Sequence, residues 1–93
     1  MSYYYTAPTA LVDATPPQAP HDRVISPDDP TLSVVVVSYW PATADRDAWE
    51  ALPGVTEYPL WTWGQPAPPS LATVKLGPGA TVQQAFRRMG IRH

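Results

Sequence analysis

Few side chains in this sequence can do acid–base, nucleophilic or metal chemistry, and their spacing does not bring them together. Cysteine is absent, so disulfides and thiolate metal sites are excluded. His21 lies between Pro20 and Asp22, and His93 is the last residue. His21-Asp22 with Asp28-Asp29 offers at most a weak set of metal ligands. Asp47 and Glu50 stand at a spacing that puts both carboxylates on one side of a helix, and the apolar pattern around them turns that side to water. Gly77-Pro78-Gly79 runs into Ala80-Thr81 without the lysine of a phosphate-binding loop. Gly79-Ala80-Thr81 opens a helix and reads either as an anion seat or as a plain turn and cap. Catalysis needs convergent titratable groups. The pattern points away from an enzyme, and no cofactor, metal or small-molecule substrate is expected.

Residues suited to holding a partner are more plentiful. Tyr3, Tyr4 and Tyr5 are consecutive, and Leu11-Val12 and Val24-Ile25 are isolated apolar pairs. Trp61 and Trp63 would share one face of a strand. There they serve as core or as interface, tryptophan being enriched at binding hot spots. Arg87, Arg88 and Arg92 make a basic C-terminal end. Charge is segregated along the chain. Residues 1–70 carry two basic against eight acidic side chains, a net −6, while residues 71–93 carry four basic and no acidic ones, a net +4. The split either balances within the molecule or draws copies, or an acidic partner, together. Nucleic acid is an unexpected partner, because the whole chain stands at −2 and lacks a broad basic stripe. Two PxxP stretches, at 17–20 and 27–30, have the spacing of polyproline ligands, but their charged neighbours are mostly acidic, which argues against that recognition mode.

Stepwise punctuation by proline and glycine divides the chain. With 93 residues, one domain is expected. Thirteen prolines and a charged fraction of 15% are unusual for a short chain. A core this small is hard to stabilise alone, and without disulfides it looks to a partner or to its own copies. Residues 1–30 hold Pro8, Pro16, Pro17, Pro20, Pro27 and Pro30 and show no lasting apolar period, so they read as an extended arm. Residues 31–40 contain Val34-Val35-Val36-Val37, a β-branched run that predicts a central strand buried on both faces. A short helix is expected over 45–52, capped by Thr43 or Asp45, with Trp49 as its anchor and Pro53-Gly54 as its end. A second strand is expected over 55–63, limited to an edge by Pro59, and a third over 71–76. Thr81 and Gln84 form a capping box for a helix over 81–89. Val82, Ala85, Phe86 and Met89 give it one apolar stripe, and Gly90 with Ile91 closes it.

The expected fold is therefore small α+β: a three-stranded, mostly antiparallel sheet with two short helices. The extended Pro-rich N-terminal arm, 1–30, lies outside a domain of 31–93. Removing residues 1–28 would then leave a folded domain. No leader-like basic and apolar pattern opens the chain, and no apolar stretch approaches membrane-spanning length, so a soluble cytoplasmic or virion-borne protein is expected. The alanine- and proline-rich composition, with five arginines against one lysine and no asparagine, fits a GC-rich bacterium or its virus. The functional expectation is a non-enzymatic structural or assembly component of a large repeating complex. Its concrete form is a bacteriophage virion protein, a head decoration (cement) protein or a small head–tail or tail component, whose arm clasps copies of itself and a larger assembly. The alternatives are a small inhibitor or adaptor of one host complex and an accessory subunit of a bacterial enzyme complex.

Overall fold

The computed structural model describes residues 2–27, 29–68, 71 and 79–91. Two adjacent strands form its spine: β1, Tyr3–Pro8, and β3, Leu32–Val37. They pair antiparallel over six residues, from Tyr3 opposite Val37 to Pro8 opposite Leu32. Aromatic and β-branched side chains suit a pleated, packed surface, and cross-strand Tyr–Val pairs are its unit of cohesion. Outside β3 lies β2, His21–Ile25, and outside β1 lies the two-residue β4, Thr56–Glu57, giving the order β2-β3-β1-β4. All pairings are antiparallel.

Two short helices connect these strands. Helix α1, Thr9–Ala14, joins β1 to β2, and α2, Thr43–Glu50, joins β3 to β4. Each connection passes over an intervening strand, which is the split βαβ arrangement repeated as β-α-β-β-α-β. A third helix, α3, Val82–Arg88, follows. The fold is small α+β, with one four-stranded antiparallel sheet and three α-helices among the described residues.

The sheet is covered on both sides. Alternation in β1 sends Tyr5 and Ala7 to one face, where they meet Val35, Val37, Val12 of α1 and Trp49 of α2. Tyr4 goes to the other face with Val34, where Phe86 and Val82 of α3 and its C-cap Met89 close the core with Tyr58 and Trp63. Val34, Val35 and Val37 have no solvent exposure. That explains why β3 reads as an unbroken apolar run rather than an alternating one.

The N-terminal arm is therefore a misreading of residues 1–30, for a physical reason. The prolines there punctuate regular elements instead of extending a coil. Pro8 ends β1 and stands at the N-cap of α1, Pro16, Pro17 and Pro20 fill the link to β2, and Pro27 and Pro30 sit in the β2–β3 turn. Thr9 fastens that turn to α1: its N–H donates to Thr31 O at 2.8 Å, and its hydroxyl meets Pro30 O and Ser33 Oγ at 2.8 Å each. Arg23 of β2 pairs with Asp13 of α1.

The later elements differ in detail. Helix α2 starts at Thr43 with Ala42 as N-cap and no side-chain cap, where Thr43 or Asp45 was expected. Gly54 after it has φ +88°, and a Cβ there would lie 2.9 Å from the Pro8 ring, so glycine is required twice over. The expected strand over 55–63 shrinks to Thr56–Glu57 and passes into a 3₁₀ turn, Leu60–Thr62. The strand expected over 71–76 lies outside the described residues apart from Leu71, which is fully buried. Helix α3 has its capping box, Gln84 N–H to Thr81 Oγ1 at 3.2 Å and Thr81 N–H to Gln84 Oε1 at 2.9 Å. It ends in a Schellman motif: Ile91 N–H donates to Phe86 O at 2.9 Å and Gly90 N–H to Arg87 O at 3.0 Å, with Gly90 at φ +84°.

Because β1 is internal, deleting residues 1–28 is expected to unfold the chain, seen as loss of the cooperative circular-dichroism melt; a retained melt would return these residues to an arm. Phe86→Ala, at a site with no exposure, is expected to cost about 3–5 kcal/mol in urea unfolding.

Candidate functional site

The candidate site forms where β4 fails. Proline has no N–H to donate, so the ladder beside β1 ends one residue before Pro59. Its last rung is Tyr58 N–H to Tyr4 O, at 2.7 Å. The chain then leaves the sheet in the 3₁₀ turn, held by Thr62 N–H and Oγ1 to Pro59 O at 2.8 and 2.7 Å. With about three residues per turn, positions 61 and 63 cannot share a face. Trp63 is buried, its Nε1–H donating to Tyr58 O at 3.3 Å and its ring edge-on to Tyr4 and Phe86 at 4.9 and 5.0 Å. Trp61 is 74% exposed, and Leu60 beside it is 50% exposed.

Departure of the chain leaves a groove of about 290 Å³ lined by Tyr3 and Tyr4 of β1 and by Glu57, Tyr58, Leu60 and Trp61. Next to it, on the α1–α2 face, lies a polar cluster. The Tyr5 hydroxyl donates to Glu50 Oε2 at 2.7 Å and accepts from Trp40 Nε1–H at 3.3 Å. Arg46 Nε–H donates to the same Glu50 oxygen at 3.0 Å, and its guanidinium sits 4.9 Å from the centre of the Tyr3 ring. Burial, and then the bond to Glu50, push the Tyr5 phenol far above its ordinary range, so it stays a neutral donor. Burial, and then the Glu50 charge, also raise the Glu57 carboxyl, with Arg46 opposing them. The one guanidinium is thus bonded to Glu50, and it acts on Glu57 only through its charge. This arrangement holds no activated nucleophile. It fixes α2 to the sheet and presents a groove of aromatic faces with a carboxylate.

A smaller pocket, of about 120 Å³, opens between the link after α1 and helix α2, lined by Pro16, Pro17, Ala48, Trp49 and Leu52. The buried Trp49 indole N–H has no hydrogen-bond partner among the described residues.

The residues singled out from the sequence scatter. Tyr3 is half-buried and Trp61 exposed, and the two share the groove with Tyr4, which is otherwise buried. Tyr5, Val12 and Trp63 are core, the half-buried Val24 packs against the core, and Leu11 is half-buried. Ile25 is 46% exposed on the edge strand. Arg87 and Arg88 are exposed in the last turn of α3. Arg92 lies outside the described residues. Sequence reasoning missed Arg46, Glu50 and Glu57. Glu50 was assigned to a solvated face but is half-buried and twice bonded. The signal was present in the Arg46–Glu50 spacing of four residues; its tertiary partner, Tyr5, was not. Among the described residues no group of three or more His, Asp or Glu could hold a metal, and no helix is long and apolar enough to cross a membrane.

No protein-family model matches the chain, and no curated protein or solved structure is significantly similar to it. A fold by itself does not assign function, so the reading rests on the site.

Glu57 supplies a pH test. Its folded acid binds the proton more tightly than the unfolded one. The folded state then holds more protons across the window from the ordinary glutamate range up to the raised value, and stability falls as pH rises through it. Comparing urea midpoints of the wild type and Glu57→Gln over a pH series should show the variant gaining on the wild type as pH rises through that window. A constant difference contradicts the assignment.

Proposed function

We propose that the chain is a non-enzymatic binding subunit that enters a larger repeating protein assembly through the groove beside Trp61. The observation that carries this reading is an indole 74% exposed on a short, hydrogen-bonded turn, beside a half-exposed leucine and a groove. A rigid, exposed tryptophan over a pocket is the chemistry of an interface hot spot. The reading no longer depends on an N-terminal arm. A virion component is one case of such a subunit, supported by composition alone.

A second reading has its own observation. The outer edge of β2 faces no strand among the described residues, and Ile25 projects there 46% exposed. An edge of this kind can accept a strand from another protein, the mode of an adaptor or inhibitor. His21, Asp22 and Arg23 along it blunt indiscriminate pairing.

Light scattering over a range of concentrations separates the two. The assembly reading expects wild-type association that Trp61→Ala abolishes, with the melting temperature unchanged because the ring is mostly in water. Association retained by Trp61→Ala removes the groove from the interface. A monomer at every concentration transfers the weight to the β2 edge.

A further inference from the structure

We propose that the groove beside Trp61 takes the Arg87 side chain of a second copy of this chain, so that copies join head to tail. This rests on the assembly reading above and names the group that enters the groove.

The groove is short of positive charge. Glu57 lines it, Glu50 stands close enough to raise the Glu57 carboxyl, and Arg46 is bonded to Glu50 rather than to Glu57. Three of the groove's lining residues, Tyr3, Tyr58 and Trp61, are aromatic, and Trp61 is 74% exposed. A group that stacks on an aromatic face and bonds a carboxylate at once is a guanidinium, which is planar, weakly hydrated and permanently charged. The chain already contains the model for this contact. Arg46 covers the Tyr3 ring at 4.9 Å while its Nε–H bonds Glu50 at 3.0 Å. A second guanidinium against Trp61 and Glu57 would repeat that pairing across an interface and neutralise the second carboxylate.

The same chain supplies the cation. Arg87 is exposed in the last turn of α3, held out by a helix with a capping box at one end and a Schellman motif at the other. It belongs to the segment 71–93, which carries a net +4, whereas the groove belongs to residues 1–70 at a net −6. Attraction between these oppositely charged segments favours the encounter of two copies. The groove and Arg87 are different patches of one surface. A reciprocal exchange of Arg87 side chains would close a two-fold dimer, and a wild type that stops at the dimer overturns the head-to-tail arrangement; joined head to tail, the contact is heterologous and propagates into a ring or an open chain. That is the geometry of a repeating assembly.

Charge reversal tests the pairing in sedimentation velocity at low and high salt. The wild type is expected to associate, more strongly at low salt. Arg87→Glu and Glu57→Arg should each be monomeric at concentrations where the wild type associates, and an equimolar mixture of the two should associate again. Circular dichroism checks that each variant folds. If Glu57→Arg melts early, Glu57→Gln takes its place and should weaken association about tenfold or more; unchanged association overturns the proposal. Arg87→Glu associating like the wild type, or a mixture no better than its components, also overturns it while leaving the Trp61 interface standing. A wild-type monomer under all conditions overturns the assembly reading and this pairing together.

Discussion

Pairing of β1 with β3 is the contact on which the rest of the molecule depends. Three consecutive tyrosines lie opposite three consecutive valines, and because the strands are internal, side chains on both faces are used. Tyr5 is packed against Trp49 of α2, with ring centres 5.9 Å apart, and its hydroxyl also holds Glu50. Tyr4 on the opposite face meets Trp63 and Phe86, and so holds the C-terminal helix. Two adjacent residues thus organise two half-cores. A domain of this size buries little apolar surface per residue. Placing aromatic rings on both sides of one strand concentrates what it has, each edge-to-face pair adding about 0.5–1.5 kcal/mol beyond area burial.

Two prolines act as stops to strands of the sheet. Pro8 closes β1, and Pro59 closes β4. The second stop has a consequence for binding. By ending the ladder it turns the chain into a 3₁₀ turn, exposes Trp61, buries Trp63 and opens the groove against Tyr3. Local backbone chemistry at one residue therefore links the fold to the proposed interface. Glu57, in the last pair of that ladder, is held half-buried beside Glu50 at the same place.

Features with short-range causes were legible in the sequence. The C-terminal helix could be read from Thr81 to Ile91 because its cap, stripe and terminator all lie within about three turns. The valine run of β3 was equally plain. Tyr3-Tyr4-Tyr5 was not, because its partner lies some thirty residues on and a strand buried on both faces shows no alternation. Nearby prolines then suggested a coil. The tryptophans misled for a related reason: a period of two was applied where the turn after Pro59 has a period of three. The acidic site was hidden because Glu50 and Glu57 meet only when α2 and β4 are laid beside β1.

Native-state hydrogen exchange measures the central claim most directly. The account predicts that the amides of residues 4–6 exchange as slowly as those of Val34 and Val35, through opening of the whole molecule. Fast exchange at residues 4–6, with slow exchange kept in β3, would show that the N-terminal segment is not part of the sheet.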